Sequence, residues 1–259
     1  MAVRRKPLDR LLMPDPLVSF RDVSLSIGRR QILNRLSFDV YPGETLVLLG
    51  RSGSGKTTAL KMVNALVLPT RGEVLVEGKP TTAWDRIRLR RRIGYVIQET
   101  GLFPHFSIAR NIGLVPSLER WPAEKLDARV NTLLEEVGLN PVEYADRYPR
   151  ELSGGQRQRV GVARALAADP SLLLFDEPFG ALDPITRLEL QNQFMALRGS
   201  LGKTSMFVTH DVREALRIAT KIGVLHQGKL ELLGTPDEFL KADAPEARAF
   251  VASLDDNRS

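Results

Sequence analysis

Cysteine is absent from this sequence of 259 residues. The absence excludes disulfide bonds and thiolate metal sites, and it agrees with a cytosolic protein. Long apolar runs are absent as well. The longest, Leu46–Leu49 and Leu172–Phe175, have the length of strands, far below the roughly 18 residues that a membrane-spanning helix needs. We therefore expect the chain not to cross a bilayer by itself.

An export signal is also missing from the first residues. The stretch "MAVRRKPLDRLLMPDP" carries basic residues but has no apolar segment before its prolines, so we expect the protein not to be exported. Low-complexity tracts and repeats of solenoid length are not found either. The sequence predicts an ordinary compact protein.

What the chain does contain is a typical globular composition with a basic balance. Hydrophobic residues make up 43% and charged residues 26%, and the length fits one substantial domain with room for an inserted subdomain. The net charge of +6 is compatible with nucleic acid, anionic lipid or simply a basic surface. We interpret the densest basic cluster, Arg86–Arg92, as the exposed face of a helix. Contact with lipid headgroups or a membrane partner is the alternative.

The first part of the chain is predicted to be rich in strands. Apolar residues alternate over 18–27 and 31–40, and a short buried strand follows at 46–49. That strand leads through glycine into a helical pattern at 56–66. A strand, a glycine-rich loop and a helix in this order form the setting of a phosphate-binding loop.

The rest of the chain predicts an α/β fold. The other predicted strands lie at 72–78, 93–97, 171–175 and 204–209. The pattern is helical from Thr100 to about Ala168, and a terminal helix begins at Thr235-Pro236. Alternation of strands and helices favours a mainly parallel sheet, with an α-helical subdomain inserted into it.

The loop after the buried strand matches G-x-x-x-x-G-K-[ST]. Its candidate ATP-binding residues are Gly50, Arg51, Ser52, Gly53, Ser54, Gly55, Lys56, Thr57 and Thr58. Glycines let backbone N–H groups converge on the β-phosphate, Lys56 reaches the β and γ oxygens, and Thr57 holds Mg²⁺. The pattern predicts ATP and Mg²⁺ as cofactors, and a chance match without nucleotide is the alternative.

Two adjacent acids follow the apolar run at 172–175. We expect Asp176 to bind Mg²⁺ at the end of a buried strand, and Glu177 to polarise the attacking water as a general base. Desolvation and mutual repulsion make such a pair unfavourable as mere structure. A solvated turn is the alternative interpretation.

Two further polar residues follow predicted strands. His210 comes after the strand at 204–209, at the end where ligands of open α/β sheets bind, so we predict that it senses phosphate. A structural histidine is the alternative. Gln98 ends the strand at 93–97, and we expect it to contact water and Mg²⁺ while following the helical insertion.

A second candidate anion site lies in "ELSGGQRQRV", residues 151–160. Ser153, Gly154 and Gly155 offer a hydroxyl and unobstructed N–H groups at a helix start. A single chain has no use for two such sites on one ATP. Two copies arranged head to tail would close each second site on the γ-phosphate held by the other copy. The sequence therefore predicts a homodimer.

Taken together, these motifs resemble those of the ATP-binding cassette (ABC) ATPases over about residues 18–240. The resemblance identifies 50–58 as Walker A, Gln98 as the Q-loop, Leu152–Gln156 as the signature motif, 172–177 as Walker B, 181–183 as the D-loop and His210 as the switch histidine. It implies that Ser153 to Gln156 face the γ-phosphate of the partner copy, and that Asp183 belongs to the D-loop.

The resemblance also implies a domain plan. Residues 18–99 and 169–240 would form a RecA-like P-loop NTPase core with an N-terminal antiparallel β subdomain. Residues 100–168 would form the helical subdomain, and 241–259 a short C-terminal helix and tail. The whole of 18–240 is then one ABC ATPase domain.

Three longer stretches, 94–116, 146–170 and 176–187, resemble the ATPase subunits of bacterial osmoprotectant importers. Those importers take up quaternary amines such as glycine betaine, carnitine and choline. The implied partners are a second ATPase subunit, two integral-membrane permease subunits and an extracytoplasmic substrate-binding protein. The chain would lie peripherally on the cytoplasmic face of the inner membrane. "GLFPH", at 101–105, would meet the permease, and an ordinary Gly/Pro loop is the alternative.

The sequence departs from this family in two places. Family members carry an aromatic residue near the end of the first strand to stack on adenine, whereas Ile27 stands there, so Phe20 or another residue is the candidate substitute. Many close relatives also carry a regulatory extension after the cassette. This sequence ends at Ser259, so we do not expect that regulation.

Other functions are weighed against the osmoprotectant importer. Within transport, the alternatives are an importer ATPase for another amine or an amino acid, and an exporter. A soluble ATPase acting on nucleic acid would carry coiled-coil insertions, zinc elements or tandem cassettes, and the sequence predicts none, so no nucleic-acid partner is expected. A non-catalytic regulatory cassette is disfavoured because Lys56, Glu177 and His210 are all present.

Overall fold

The computed structural model describes residues 14–98, 100–180 and 182–256. The strands in this part of the chain are β1 (Val18–Ile27), β2 (Arg30–Val40), β3 (Thr45–Leu49), β4 (Arg71–Val76), β5 (Lys79–Pro80), β6 (Ile93–Val96), β7 (Leu172–Asp176), β8 (Thr204–Thr209), β9 (Lys221–His226) and β10 (Lys229–Gly234). The helices are α1 (Lys56–Val63), α2 (Arg86–Arg92), α3 (Ile108–Ile112), α4 (Leu114–Leu118), α5 (Ala123–Glu136), α6 (Pro141–Tyr144), α7 (Gly154–Leu166), α8 (Pro184–Leu201), α9 (Val212–Ile218), α10 (Pro236–Leu240) and α11 (Pro245–Asp256).

The strands form two sheets. One has four antiparallel strands in the order β2-β1-β4-β5, and the other has six strands in the order β10-β9-β3-β8-β7-β6. In the larger sheet every neighbouring pair is parallel except β9 and β10. The predicted mainly parallel sheet and antiparallel β subdomain are both confirmed.

The larger sheet is buried on both faces. The buried side chains form two hydrophobic clusters. Along β3, Val47 and Leu49 belong to the larger one, here called the main hydrophobic cluster, whereas Leu46 and Leu48 belong to the other. Successive side chains of a strand point to opposite faces, so a strand between two packed layers needs apolar residues at every position. This explains the uninterrupted apolar run Leu46–Leu49, directly before the P-loop pattern.

The smaller sheet has its own aromatic contact. Phe20 is fully buried and stacks on Phe38 with ring centroids 4.4 Å apart. A ring held in this way cannot reach a bound base, so the expectation that Phe20 replaces the missing adenine-stacking residue is wrong. Ile27, at the end of β1, is 66% exposed.

The helical region agrees with the sequence pattern. Helices α3 to α7 lie between Ile108 and Leu166, inside the stretch predicted to be helical. Helix α2 is formed by the basic cluster, and its buried residue is Leu89, in agreement with a mostly exposed face. Within the described residues, none of the helices combines the length and the apolar character that a membrane span requires.

Two details differ from the predicted boundaries. Strand β6 ends at Val96, so Gln98 lies in the loop two residues beyond it. The terminal helix that begins after Thr235 is only five residues long, and α11 follows it as a separate helix that packs on the main hydrophobic cluster. The domain limits at 99, 168 and 240 stay a prediction.

Parallel pairing brings the ends of three strands to one edge. Leu49 of β3 pairs with Thr209 of β8, and Asp176 of β7 pairs with Val208. The loops that follow β3, β7 and β8 therefore leave the sheet side by side. These are the loops that carry the P-loop, the acidic pair and His210.

Candidate nucleotide-binding site

The P-loop has the backbone that the pattern predicts. Gly55 lies at φ +105°, in the left-handed region that favours glycine, and it directly precedes α1. A methyl group added there would lie 2.6 Å from Cδ2 of Leu33 on β2. The loop is thus pressed against the smaller sheet at a point where only glycine fits.

Lys56 is buried inside the loop. Its Nζ donates hydrogen bonds to the carbonyl oxygens of Gly50, at 2.7 Å, and Arg51, at 3.1 Å. Burial lowers the pKa of Lys56, and the negative charges of Glu177 and Asp176 oppose that effect. The ammonium group therefore lies in the field of both acids, at the end of the loop that the sequence predicts to hold phosphate.

Asp176 joins the P-loop to β7. Its Oδ1 accepts a hydrogen bond of 2.7 Å from Oγ1 of Thr57, and its Oδ2 accepts one of 3.1 Å from Oη of Tyr95. Burial is the first cause, and Asp176 the second, of a strongly raised pKa at Tyr95. The two predicted metal ligands Thr57 and Asp176 are therefore in direct contact, and Tyr95 orients the carboxylate.

Glu177 and His210 form the next pair. Nδ1 of His210 lies 3.1 Å from Oε2 of Glu177, and the histidine side chain is 62% exposed. Glu177 has φ +46°, a left-handed conformation that costs about 1 kcal/mol or more outside glycine and that often occurs at functional sites. The backbone turn after Asp176 separates the two acidic side chains, so that one meets Thr57 and the other meets His210.

Gln98 also lies near Glu177, next to Gly180. A methyl group added to Gly180 would lie 3.5 Å from Nε2 of Gln98 and 3.8 Å from Oε2 of Glu177, so the two side chains converge there. A cavity of about 520 Å³ continues from Gln98 toward Gly154. The structure therefore brings Lys56, Thr57, Gln98, Asp176, Glu177 and His210 together, and the roles assigned to them stay a prediction.

The second predicted anion site lies at the start of α7. Ser153 caps α7: its Oγ accepts from the backbone N of Gln156 at 3.2 Å, and its own N donates to Oε1 of Gln156 at 2.9 Å. Ser153 and Gly154 are exposed. Among the described residues, no hydrogen bond or ion pair joins Ser153 or Gln156 to the P-loop. Among these residues, no polar contact ties the start of α7 to the P-loop of its own chain.

The D-loop is described at Leu182 and Asp183, and Ala181 lies outside the described residues. Oδ1 of Asp183 accepts from the backbone N of Thr186 at 3.0 Å and of Ile185 at 3.1 Å. Hydrogen bonds from Thr186 lower the pKa of Asp183. Asp183 therefore begins α8 as a capping residue.

Several residues at the site could not be identified from the sequence. In the sequence, Tyr95 cannot be told from other strand residues. Only the pairing of β6 with β7 places it next to Asp176. Arg164 of α7 holds the loop after Gln98 by donating to the carbonyl oxygens of Thr100, at 2.7 Å, and Gly101, at 2.8 Å. Arg51 is already among the predicted ATP-binding residues, but its 2.6 Å hydrogen bond to Glu246 is not indicated by the sequence. No local pattern marks these contacts, because their partners lie far away in the chain.

The P-loop lies at the carboxyl edge of a parallel sheet, where Asp176 contacts Thr57 and Glu177 contacts His210. This arrangement defines the protein as a P-loop nucleoside-triphosphate-binding domain. The family model described as ABC transporter matches residues 33–180, more than half of the chain. The chain therefore belongs to the ABC transporter family.

Two curated relatives carry transport names. The chain is 51% identical over 219 residues to the glycine betaine/carnitine/choline transport ATP-binding protein OpuCA of Bacillus subtilis (strain 168). It is 49% identical over 219 residues to the choline transport ATP-binding protein OpuBA of the same organism. Each match covers 85% of this chain and 57% of the relative, so the chain spans little more than half the length of these proteins.

A solved structure confirms the predicted fold class. The chain is similar, with a TM-score of 0.75 and 32% identity, to a dimeric post-hydrolysis state of the ATP-binding cassette MJ0796 bound to ADP and Pi. The match covers 85% of this chain and 98% of that one. The fold is that of an ABC ATPase.

Proposed function

We propose that this chain is the ATP-hydrolysing subunit of an ABC importer, and that the importer takes up osmoprotectants such as glycine betaine, carnitine and choline. The observation that carries the ATPase proposal is the 3.1 Å contact between Glu177 and His210, beside Lys56. The substrate class is supported by the names of the two relatives with about 50% identity.

In the proposed reaction, a water oxygen attacks the γ-phosphorus of ATP and Glu177 takes the proton. The bond between the γ-phosphorus and the bridging oxygen breaks, and ADP leaves with the bonding electrons. Lys56 turns from the loop carbonyls to the β and γ oxygens. His210 holds the Glu177 carboxylate in place and donates to the γ-phosphate from its exposed side.

The residues present fit Mg²⁺ as a second cofactor. Thr57, Asp176 and Gln98 offer oxygen donors, which this hard cation prefers, and the 2.7 Å contact of Thr57 with Asp176 supports a shared position. When bound, the ion would neutralise negative charge that develops on the phosphate oxygens. Tyr95 and the P-loop backbone would keep these donors in position.

The active form is proposed to be a homodimer. Ser153, Gly154, Gly155 and Gln156 would complete the site of the partner copy. Ser153 and Gly154 are exposed at the start of α7, which supports this role. The dimeric state of the MJ0796 structure supports this arrangement. Ile27, exposed at the end of β1, would cover adenine by apolar contact in place of an aromatic ring.

A permease is the proposed partner of the loop at 101–105. Phe103 is 41% exposed, and buried Asn111 fixes the loop by donating to the Phe103 carbonyl at 3.1 Å and accepting from its N at 2.8 Å. A rigid loop with an exposed aromatic side chain suits a docking contact. The chain would thus lie on the cytoplasmic face of the inner membrane, with two permease subunits and an extracytoplasmic binding protein.

Replacing Glu177 by glutamine tests the catalytic assignment. Glu177→Gln keeps the shape of the side chain but removes the base, so ATP binding should persist while turnover falls by about 100-fold or more. Light scattering should show a more persistent dimer with ATP and Mg²⁺. Unchanged turnover would exclude Glu177 as the general base, and a strictly monomeric variant would exclude the dimer.

The substrate class needs a separate experiment. The chain would be reconstituted with its candidate permease and binding protein, and ATP hydrolysis measured with glycine betaine, choline, carnitine and amino acids. Stimulation by the quaternary amines is expected. Stimulation by amino acids alone would contradict the substrate class and leave the ATPase proposal intact.

A further inference from the structure

Glu246 is a buried acid at the start of α11, close to the P-loop. Only 6% of the residue is exposed, and the next residue, Ala247, is fully buried against the main cluster. Oε1 of Glu246 accepts a hydrogen bond of 2.6 Å from Nε of Arg51, and Oε2 lies 3.3 Å from Nδ1 of His226. The carboxylate therefore joins three elements: α11, the end of β9 and the P-loop.

The P-loop is also fixed on the β9 side. The backbone N of Gly228 donates to the carbonyl oxygen of Ser54 at 3.1 Å. A methyl group added to Gly50 would lie 2.3 Å from the carbonyl oxygen of Leu225. One contact comes from the end of β9 and the other from the turn that follows it, so this part of the sheet and α11 together support the loop.

Arg51 lies in the part of the loop that holds the catalytic lysine. Its carbonyl oxygen accepts a hydrogen bond from Nζ of Lys56 at 3.1 Å, while its side chain points to Glu246. A displacement of Arg51 therefore moves a group that Lys56 contacts. The contact spans 195 residues of sequence.

We propose that Glu246 is a positioning residue of the nucleotide site, which holds the P-loop in its binding conformation through Arg51. This inference rests on the proposed ATP binding. Arg51 is 69% exposed, so simple charge attraction is screened by solvent. Glu246 is buried, and a buried carboxylate requires donors, which ties α11 to the loop.

The expected effect is on affinity and not on the chemical step. Among the described residues, Glu246 has its contacts with Arg51 and His226, and neither Glu177 nor His210 is among them. Loosening Arg51 changes the loop that receives phosphate but leaves the proposed base and its histidine in place. Glu246 should therefore influence KM for ATP more than kcat.

The test replaces Glu246 by glutamine. Glu246→Gln should raise KM for ATP, and the Kd of a fluorescent ATP analogue, about 3- to 10-fold, with kcat within about 2-fold of the parent. The matched control is Glu231→Gln, which removes an equal charge from an exposed position on β10. The control should leave KM, Kd and kcat unchanged.

A double-mutant cycle separates this contact from a direct role of Arg51. Arg51→Gln should also raise KM, and the double variant should be no worse than the worse single variant, because both changes break one contact. If Glu246→Gln does not fold, Glu246→Asp takes its place, since it keeps the charge but shortens the reach to Arg51.

Three results would overturn the inference. The first is a KM for Glu246→Gln equal to that of the Glu231→Gln control. The second is a lower melting temperature for Glu246→Gln with KM and Kd for ATP unchanged. The third is that the effects of Arg51→Gln and Glu246→Gln on KM simply add in the double variant. Failure of the unaltered protein to bind ATP would be a different result. It would remove the proposed function, and this inference with it.

Discussion

At the scale of single residues, Glu214 is a buried acid that the proposed reaction does not use. It lies four residues after His210, on α9, and Oγ1 of Thr209 donates to its Oε2 at 2.8 Å. Burial is the main cause that raises its pKa to about 7. The hydrogen bond from Thr209 and the charge of Arg187 lower the pKa, whereas the charges of Asp211 and Glu177 raise it further. The acid thus contacts Thr209, the residue just before His210.

This raised pKa predicts how stability depends on pH. The ordinary value is 4.5, so the folded protein retains the proton between about 4.5 and 7, and the free energy of unfolding falls as pH rises through this window. The loss amounts to about 3 kcal/mol at most. Glu214→Gln resembles the protonated acid and should lose this pH dependence. Urea unfolding at pH 5 and pH 8 checks it, and parallel profiles for both proteins would contradict the assignment.

Residues of the site differ in how well the sequence reveals them. Lys56, Glu177 and His210 each follow an apolar strand in the local sequence, so their position at a sheet edge is predictable. Tyr95 contacts Asp176 across two paired strands, and nothing near it in the sequence indicates this. Whether an ordinary strand residue belongs to a site depends on which strands pair.

At the scale of elements, the two glycines of the predicted second anion site have different structural surroundings. Gly155 lies where α7 meets α8, and a methyl group added to it would be 2.4 Å from Cγ2 of Thr186. Gly154 has open space around it, with the nearest atom, from Arg157, at 4.0 Å. The sequence predicts one purpose for both, namely free N–H groups, whereas the structure adds close helix packing at Gly155.

These two positions form a matched pair for mutation. Gly155→Ala should lower the free energy of unfolding by about 1–3 kcal/mol because the added methyl group forces α7 and α8 apart. Gly154→Ala should change it by less than about 0.5 kcal/mol. Urea unfolding of both variants measures the difference. Equal effects would show that the packing of α7 on α8 does not require glycine.

At the scale of the whole molecule, the proposed dimer makes a prediction about mixed subunits. Lys56→Ala damages the P-loop side of a site, and Ser153→Arg damages the side that would come from the partner. If the two sides belong to different copies, a mixed dimer has one intact site and one doubly damaged site. Neither variant alone should hydrolyse ATP.

Mixing the two inactive variants in equal amounts should restore activity. Random pairing makes half of the dimers mixed, each with one of two sites intact, so the expected recovery is about a quarter of the parent activity. ATP hydrolysis after mixing measures it. Mixing Lys56→Ala with itself at doubled concentration is the control. No recovery would contradict a site shared between copies.

Short stretches of sequence are enough to predict the chemical groups of the candidate site. The P-loop, the acidic pair after β7, the capping serine of α7 and the periodicity of the elements depend on neighbours within a few residues, so they can be predicted without coordinates. Which distant groups meet depends on the tertiary structure. Asp176 with Tyr95 and Arg51 with Glu246 are joined by strand pairing and helix docking. Such contacts follow from the burial of two hydrophobic clusters around one sheet, which no short stretch of sequence specifies.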